Sequence, residues 1–186
     1  MFRGQLLFKS CIDRNYAAEY TEKVRRHNNV NIMLSGQYIT YIIPCEERFR
    51  DKMYDMFHNH VVEVQSFSEI DDDIYKIGFY SFDSADSLVL PECDFSQMYL
   101  AYSENNWKEF IRSGVNKGQA VKFAMNFFNI PADNSIAFGD NYNDIEMLQS
   151  VKYGFAVKNC KFEIEKVCEN TTDSVESTLR KVFFTN

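Results

Sequence analysis

The sequence predicts an α/β protein: a parallel sheet with crossover helices, preceded by a region of mixed strands and helices. Three observations carry this expectation. After Val115, helical and strand patterns alternate, the signature of βαβ units. Before it, a hairpin and several aromatic-rich strands are interleaved with two amphipathic helices. The 186 residues are 45% hydrophobic, enough for a packed core in one ordinary domain or two small ones.

Gly4 to Phe8 reads as a short strand. Asn15 to His27 reads as a helix, with Ala17, Tyr20 and Val24 on one face. Val30–Leu34 and Tyr38–Ile43 flank Ser35-Gly36-Gln37 as a β-hairpin, which Pro44 ends. A second helix runs from Cys45 to about His58, because Phe49, Met53, Met56 and Phe57 recur at helical spacing. Ile74–Tyr80, Met98–Ala101 and Trp107–Ile111 are strands by composition. The run Asp71-Asp72-Asp73, which lies before a strand, reads as a solvated turn.

In the carboxyl-terminal part, Gly118–Phe128 is a helix stopped by Asn129-Ile130-Pro131. Ser135–Phe138 is a short buried strand, Asp144–Ser150 a helix, Tyr153–Val157 a strand and Phe162–Cys168 a helix.

The chemistry concentrates where Ile136-Ala137-Phe138-Gly139 gives way to Asp140-Asn141-Tyr142-Asn143-Asp144. Open α/β sheets bind ligands beyond the carboxyl ends of their strands, and this loop must lie there. Asp140 is the first side chain out of the strand, and Asp144 opens the next helix, at its positive end. One direct and one outer carboxylate suit Mg²⁺, which keeps several waters. Asn141 and Asn143 add neutral polar groups for a carboxylate, a metal-bound water or a phosphate oxygen. Read alone, the loop fits a simple turn with Asp144 as a helix cap equally well. Lys117-Gly118, at the start of the preceding helix, changes the balance, because a cation and two carboxylates at one sheet end suit phosphate chemistry.

Gly114-Val115-Asn116-Lys117-Gly118-Gln119-Ala120, the Ile136–Leu148 segment, Gly154-Phe155-Ala156-Val157-Lys158-Asn159 and Thr171-Thr172 together closely resemble the haloacid dehalogenase superfamily, specifically its Cof-type phosphatases. The resemblance implies a Rossmann-like core joined to an α+β cap domain. It divides the chain into a partial core segment at 1–12, a cap at 13–112 and the carboxyl-terminal half of the core at 113–186. By the same resemblance Lys117 is the catalytic lysine that stabilises the phosphoryl group, Asp140 helps hold Mg²⁺, and Asn143 and Asp144 support the phosphate and metal shell. It implies as substrate a sugar phosphate or another small phosphomonoester. Asp94, Tyr99 and Glu109 are loose candidates for cap contacts with it.

Family members begin with a strand ending in Asp-x-Asp-Gly-Thr, whose first aspartate attacks phosphorus. No such motif occurs here, and Arg3-Gly4-Gln5-Leu6-Leu7 looks like a later family segment that directly precedes the cap. The expectation is a chain that starts partway through its domain and has no turnover by itself. The alternatives are a non-catalytic binding or regulatory protein and a subunit completed in trans, in either case pairing an exposed sheet edge with itself or another chain.

Other features point away from further sites. Net charge is −7 without a long basic cluster, which disfavours nucleic acid and anionic membranes as partners. No stretch approaches the ~20 apolar residues of a membrane span. Five scattered cysteines, none in a Cys-x-x-Cys pair, fit reduced thiols in the cytoplasm. His58 and His60 fall at a helix end and are expected at the surface rather than on a metal.

Overall fold

A computed structural model describes residues 2–27 and 30–184. The chain divides into two compact units, Met1–Ser113 and Gly114–Asn186.

The first unit is built on a six-stranded sheet. Its elements are α1 (Arg14–His27), β1 (Asn31–Ser35), β2 (Thr40–Ile43), α2 (Glu47–Phe57), β3 (Val61–Glu63), β4 (Lys76–Tyr80), β5 (Met98–Glu104) and β6 (Trp107–Arg112). The strand order is β3-β2-β1-β4-β6-β5. Every pair is antiparallel except β2 with β3. Strand alternation sends neighbouring residues of β1 to opposite faces. Ile32 and Leu34 join Ala17, Tyr20 and Val24 of α1, together with Ile77, Phe79 and Phe110, in one buried cluster. Met33 joins Phe49 and Met53 of α2, with Ile42 and Tyr80, in another. The α1 stripe read from the sequence is therefore the buried face of that helix. Tyr20 anchors it, with its ring centroid 6.0 Å from Phe79 and 5.9 Å from Phe110.

The hairpin has the expected place, with Ser35 paired to Thr40. The acidic run is different from the solvated turn expected. Asp72 accepts a hydrogen bond from the Gln37 amide at 3.2 Å, and a Cβ on Gly36 would run into its carboxylate. Asp73 pairs with Lys9 and accepts from the Cys11 thiol. Two of these three carboxylates thus tie the hairpin loop and the amino-terminal segment to the unit.

Gly4–Phe8 is not a strand. Phe2 and Gln5 form one isolated bridge across a turn with Arg3 at φ 48° and Gly4 at φ 79°, and the following residues pair with no sheet. Apolar composition favours a strand only where a neighbouring edge accepts its backbone groups. Strand β3 escaped the sequence reading because three residues leave too short a pattern.

The second unit contains α3 (Lys117–Phe128), β7 (Ile136–Gly139), α4 (Ile145–Leu148), β8 (Tyr153–Val157), α5 (Phe162–Val167), β9 (Asn170–Thr172) and α6 (Val175–Phe184). Its strands form a parallel sheet in the order β7-β8-β9. The helix expected over Asp144–Ser150 is shorter than read: a 3₁₀ turn at Tyr142–Asp144 leads into the single turn of α4. Strand β9 was too short to read, and α6 went unrecognised although its apolar residues lie at helical spacing. The buried apolar cluster of this unit is small: Ala137, Leu148, Ala156 and Ile164.

Candidate active site

Lys117 is the first residue of α3, and its two chain neighbours fix its place. Asn116 caps the helix, its side-chain oxygen accepting from the Gln119 amide at 2.8 Å. Gly118 brings α3 against α4 so closely that a Cβ there would sit 2.6 Å from the Glu146 carbonyl. Only glycine permits that approach, and it delivers the lysine to the loop after β7. The ammonium donates to Asp144 Oδ1 at 2.5 Å and to Asn143 Oδ1 at 3.4 Å.

Asp144 is the organising residue. It is buried, and its second oxygen accepts from the backbone amides of Asp140 at 3.1 Å and Asn141 at 3.2 Å. Asn141 returns the bond from its own side chain, so the two close a capping box at the start of the 3₁₀ turn. Burial alone would push the Asp144 carboxyl up. The Lys117 ammonium and the two backbone amides outweigh it and hold the group below the ordinary carboxylate value. Gly139 serves close packing here rather than a left-handed turn: its φ is not positive, and a Cβ would lie 2.6 Å from Asp144 Cβ.

Asp140 projects from the carboxyl end of β7 and is exposed. Its carbonyl accepts from the Lys161 amide at 3.1 Å, which pins the loop from the α5 side, while its carboxylate takes no hydrogen bond or ion pair among the described residues. At the same end of the sheet, a cleft of about 380 Å³ is lined by Val157, Lys158, Asn159, Thr171, Thr172 and Asp173. The Gly154–Asn159 and Thr171-Thr172 segments singled out in the sequence thus meet there.

The structure brings Lys117, Asn143, Asp144 and the Asp140 backbone together. The donor set fits a hard cation in part. Asp140 offers free carboxylate oxygens among the described residues, whereas Asn143 Oδ1 accepts from Lys117 and both Asp144 oxygens accept hydrogen bonds. Among the described residues no three His, Cys, Asp or Glu side chains gather as a complete metal cage. The other candidates belong to the first unit. Glu109 is paired with Lys76 at 2.8 Å, Asp94 accepts from the Ser96 amide, and His58 and His60 are exposed.

The haloacid dehalogenase-like hydrolase family matches this chain over residues 1–178. The chain belongs to that family. Kanosamine-6-phosphate phosphatase of Bacillus subtilis is 35% identical over 79 residues, covering 40% of this chain and 28% of the relative. The 5-amino-6-(5-phospho-D-ribitylamino)uracil phosphatase YbjI of Escherichia coli is 23% identical over 159 residues, covering 84% and 59%. A haloacid dehalogenase-like hydrolase from Bacteroides thetaiotaomicron superposes with a TM-score of 0.82 at 17% identity, over 96% of this chain and 70% of that one. The chain therefore spans less than two thirds of the length of these curated relatives, and its fold is that of the family. Among the described residues no helix is long and apolar enough to cross a membrane.

Proposed function

We propose that the loop from Gly139 to Asp144, with Lys117, is the cation-binding and phosphate-binding side of a Mg²⁺-dependent phosphatase site for sugar phosphates or other small phosphomonoesters. The observation that carries this reading is the fixed Lys117 ammonium, held by Asn143 and Asp144 beside the free carboxylate of Asp140 at the carboxyl end of a parallel strand. In this reading residues 113–186 are the carboxyl-terminal half of the core, 13–112 the cap and 1–12 a further piece of the core. A cytoplasmic location belongs to the same proposal, on the strength of five free thiols.

Each residue then has a defined task. Lys117 neutralises charge on the phosphoryl oxygens, and Asn143 supports the bound phosphate. Asp140 supplies a direct oxygen to the metal, while Asp144 acts from the outer shell by orienting Lys117 and the loop amides. When bound, Mg²⁺ would supply charge neutralisation at the phosphate.

What this loop does not offer is an attacking carboxylate. Phosphoryl transfer to an aspartate needs a carboxylate in line with phosphorus, and Asp140 cannot serve both as ligand and as nucleophile. The 186-residue polypeptide is thus expected to bind Mg²⁺ and inorganic phosphate weakly and to hydrolyse nothing by itself. Amide shifts at Lys117, Asp140 and Asn143 on adding Mg²⁺ and phosphate, lost in Asp140→Ala, would support the site. Hydrolysis of p-nitrophenyl phosphate by the pure chain, dependent on Mg²⁺ and abolished by Asp140→Ala, would sink the claim of inactivity.

A second reading, a binding or regulatory subunit or one completed in trans by another chain, is favoured by one observation: among the described residues β7 pairs with β8 alone. An open edge invites pairing with another chain.

A further inference from the structure

Strands β7 and β8 run parallel, with Gly139 in register with Ala156, so the segments that follow them emerge side by side. After β7 comes the Asp140 loop. After β8 the chain turns: the Cys160 amide donates to the Val157 carbonyl at 3.1 Å, and Asn159 sits at φ 64°, a left-handed conformation that asparagine tolerates better than most residues. The turn delivers Lys161, whose amide meets the Asp140 carbonyl, and then the short helix α5. Ile164 of α5 is fully buried in the cluster with Ala137, Leu148 and Ala156, so the first turn of this helix is a fixed platform beside the loop.

Two further contacts join that platform to the loop. The Tyr142 hydroxyl donates to Glu163 Oε2 at 3.1 Å, and the Lys161 ammonium lies 5.9 Å from the centroid of the Tyr142 ring. Tyr142 is 46% exposed, so directed bonds place it rather than apolar burial. The Glu163 carboxyl is held below its ordinary value, first by its own backbone amide and then by the Tyr142 hydroxyl, and is therefore an ionised acceptor at neutral pH.

The loop is thus gripped from two sides, and the grips have different tasks. Asp144 holds the Asp140 and Asn141 amides and also Lys117. The bonds from α5 go to the Asp140 carbonyl and to Tyr142. The Asp140 carboxylate takes no hydrogen bond among the described residues, so where it stands depends on where its backbone is held.

We propose that Tyr142 and Glu163 are positioning residues of this site: their bond, with the Lys161 amide, keeps the Asp140 backbone against α5 and so sets its carboxylate for a divalent cation, an inference that rests on Asp140 being the cation ligand. Lys117 and Asn143, the phosphate side, are bonded to each other and through Lys117 to Asp144. Loss of the Tyr142–Glu163 bond should therefore weaken cation binding and spare phosphate binding.

The test titrates the intact chain separately with Mg²⁺ alone, followed by amide shifts at Gly139 and Asp140, and with inorganic phosphate alone, followed at Lys117 and Asn143. Tyr142→Phe, which keeps the ring beside Lys161, and Glu163→Ala should each weaken Mg²⁺ binding about threefold to tenfold, the range of one exposed hydrogen bond. The double variant should be no weaker than either single one, because both remove the same bond. Glu163→Gln retains an acceptor oxygen and should bind Mg²⁺ within about twofold of the parent. Phosphate binding should stay within about twofold throughout. Tyr142 and Glu163 are exposed, so the variants fold, as confirmed by unchanged amide protection at β8. Equal Mg²⁺ binding by the parent and Tyr142→Phe, or additive losses in the double variant, overturns the proposal and leaves Asp140 standing as a ligand. Parallel loss of Mg²⁺ and phosphate binding overturns it as well, since that marks a loosened loop and not a misplaced carboxylate. A parent that shows no Mg²⁺ shift overturns the reading of Asp140 as a ligand and the proposal with it.

Discussion

The two halves of this chain carry similar apolar content but use it differently. In Met1–Ser113 both helices bury a stripe on the sheet: Ala17 and Val24 of α1 and Phe49 and Met53 of α2 are all fully buried. In Gly114–Asn186, α3 and α6 expose Phe127, Phe128, Val182, Phe183 and Phe184, and the core reduces to four residues. The contrast teaches that a helix's amphipathic pattern shows that it has a partner, while the partner itself is supplied by the rest of the fold. The second half holds the 139–144 loop by polar bonds and glycine contacts instead of apolar mass.

The largest expected effect tests the packed half. Phe79→Ala removes a fully buried ring shared by the Tyr20 and Phe110 contacts, and should cost about 3–5 kcal/mol. Urea unfolding followed by Trp107, the single tryptophan, reports this unit. A loss below about 1 kcal/mol would mean that the core tolerates the gap and that the contrast is overstated.

Next comes the polar half. Asp144→Ala strands the Asp140 and Asn141 amides and releases Lys117, for a cost of about 2 kcal/mol. Amide exchange at residues 136–144 measures it. Asp144→Asn should retain part of the backbone bonding while losing the ion pair, so its loss should be smaller. If both variants exchange like the parent, the loop is held by something other than this carboxylate.

Much of this was legible in the sequence, and the failures share a cause. The α1 stripe and the hairpin could be read because periodicity and local turn chemistry encode them, whereas the meeting of Lys117 with the loop after β7 followed from the rule that open α/β sheets gather ligands at their strand ends and from the resemblance. Strands β3 and β9 are three residues each, too short for a period to appear. Gly4–Phe8 has strand composition without a pairing edge, which no local pattern reveals. In the site, the residue types were visible, but the bonds that fix them were not. The reading of one direct and one outer carboxylate left unstated what occupies Asp144, whose oxygens accept from Lys117 and two backbone amides. Gly118 and Gly139 act through close approach to Glu146 and Asp144, contacts that the residue types alone do not specify.

The pH response sharpens the same comparison. The folded Asp144 carboxyl lies below its ordinary value of 3.8, so its stabilisation is fully present above that value. It is lost as pH falls through the lower, folded value. Acidification from about pH 5 to 3 should therefore loosen the 136–144 loop, and Asp144→Asn should remove that part of the response. An unchanged profile in Asp144→Asn would assign the acid sensitivity to other carboxylates.

The smallest expected effect is the most discriminating. Phe128→Ala, taken from a core, would cost several kcal/mol, on the order of 3–5. Here the side chain is 44% exposed and lines a cleft between α3 and β7, so the isolated chain should change by less than about 0.5 kcal/mol. The matched change in the first unit, Phe49→Ala, should be costly, because Phe49 packs on Tyr80 and Trp107. A large loss for Phe128→Ala in the free chain would show that α3 already has its partner, and the contrast between the halves would collapse.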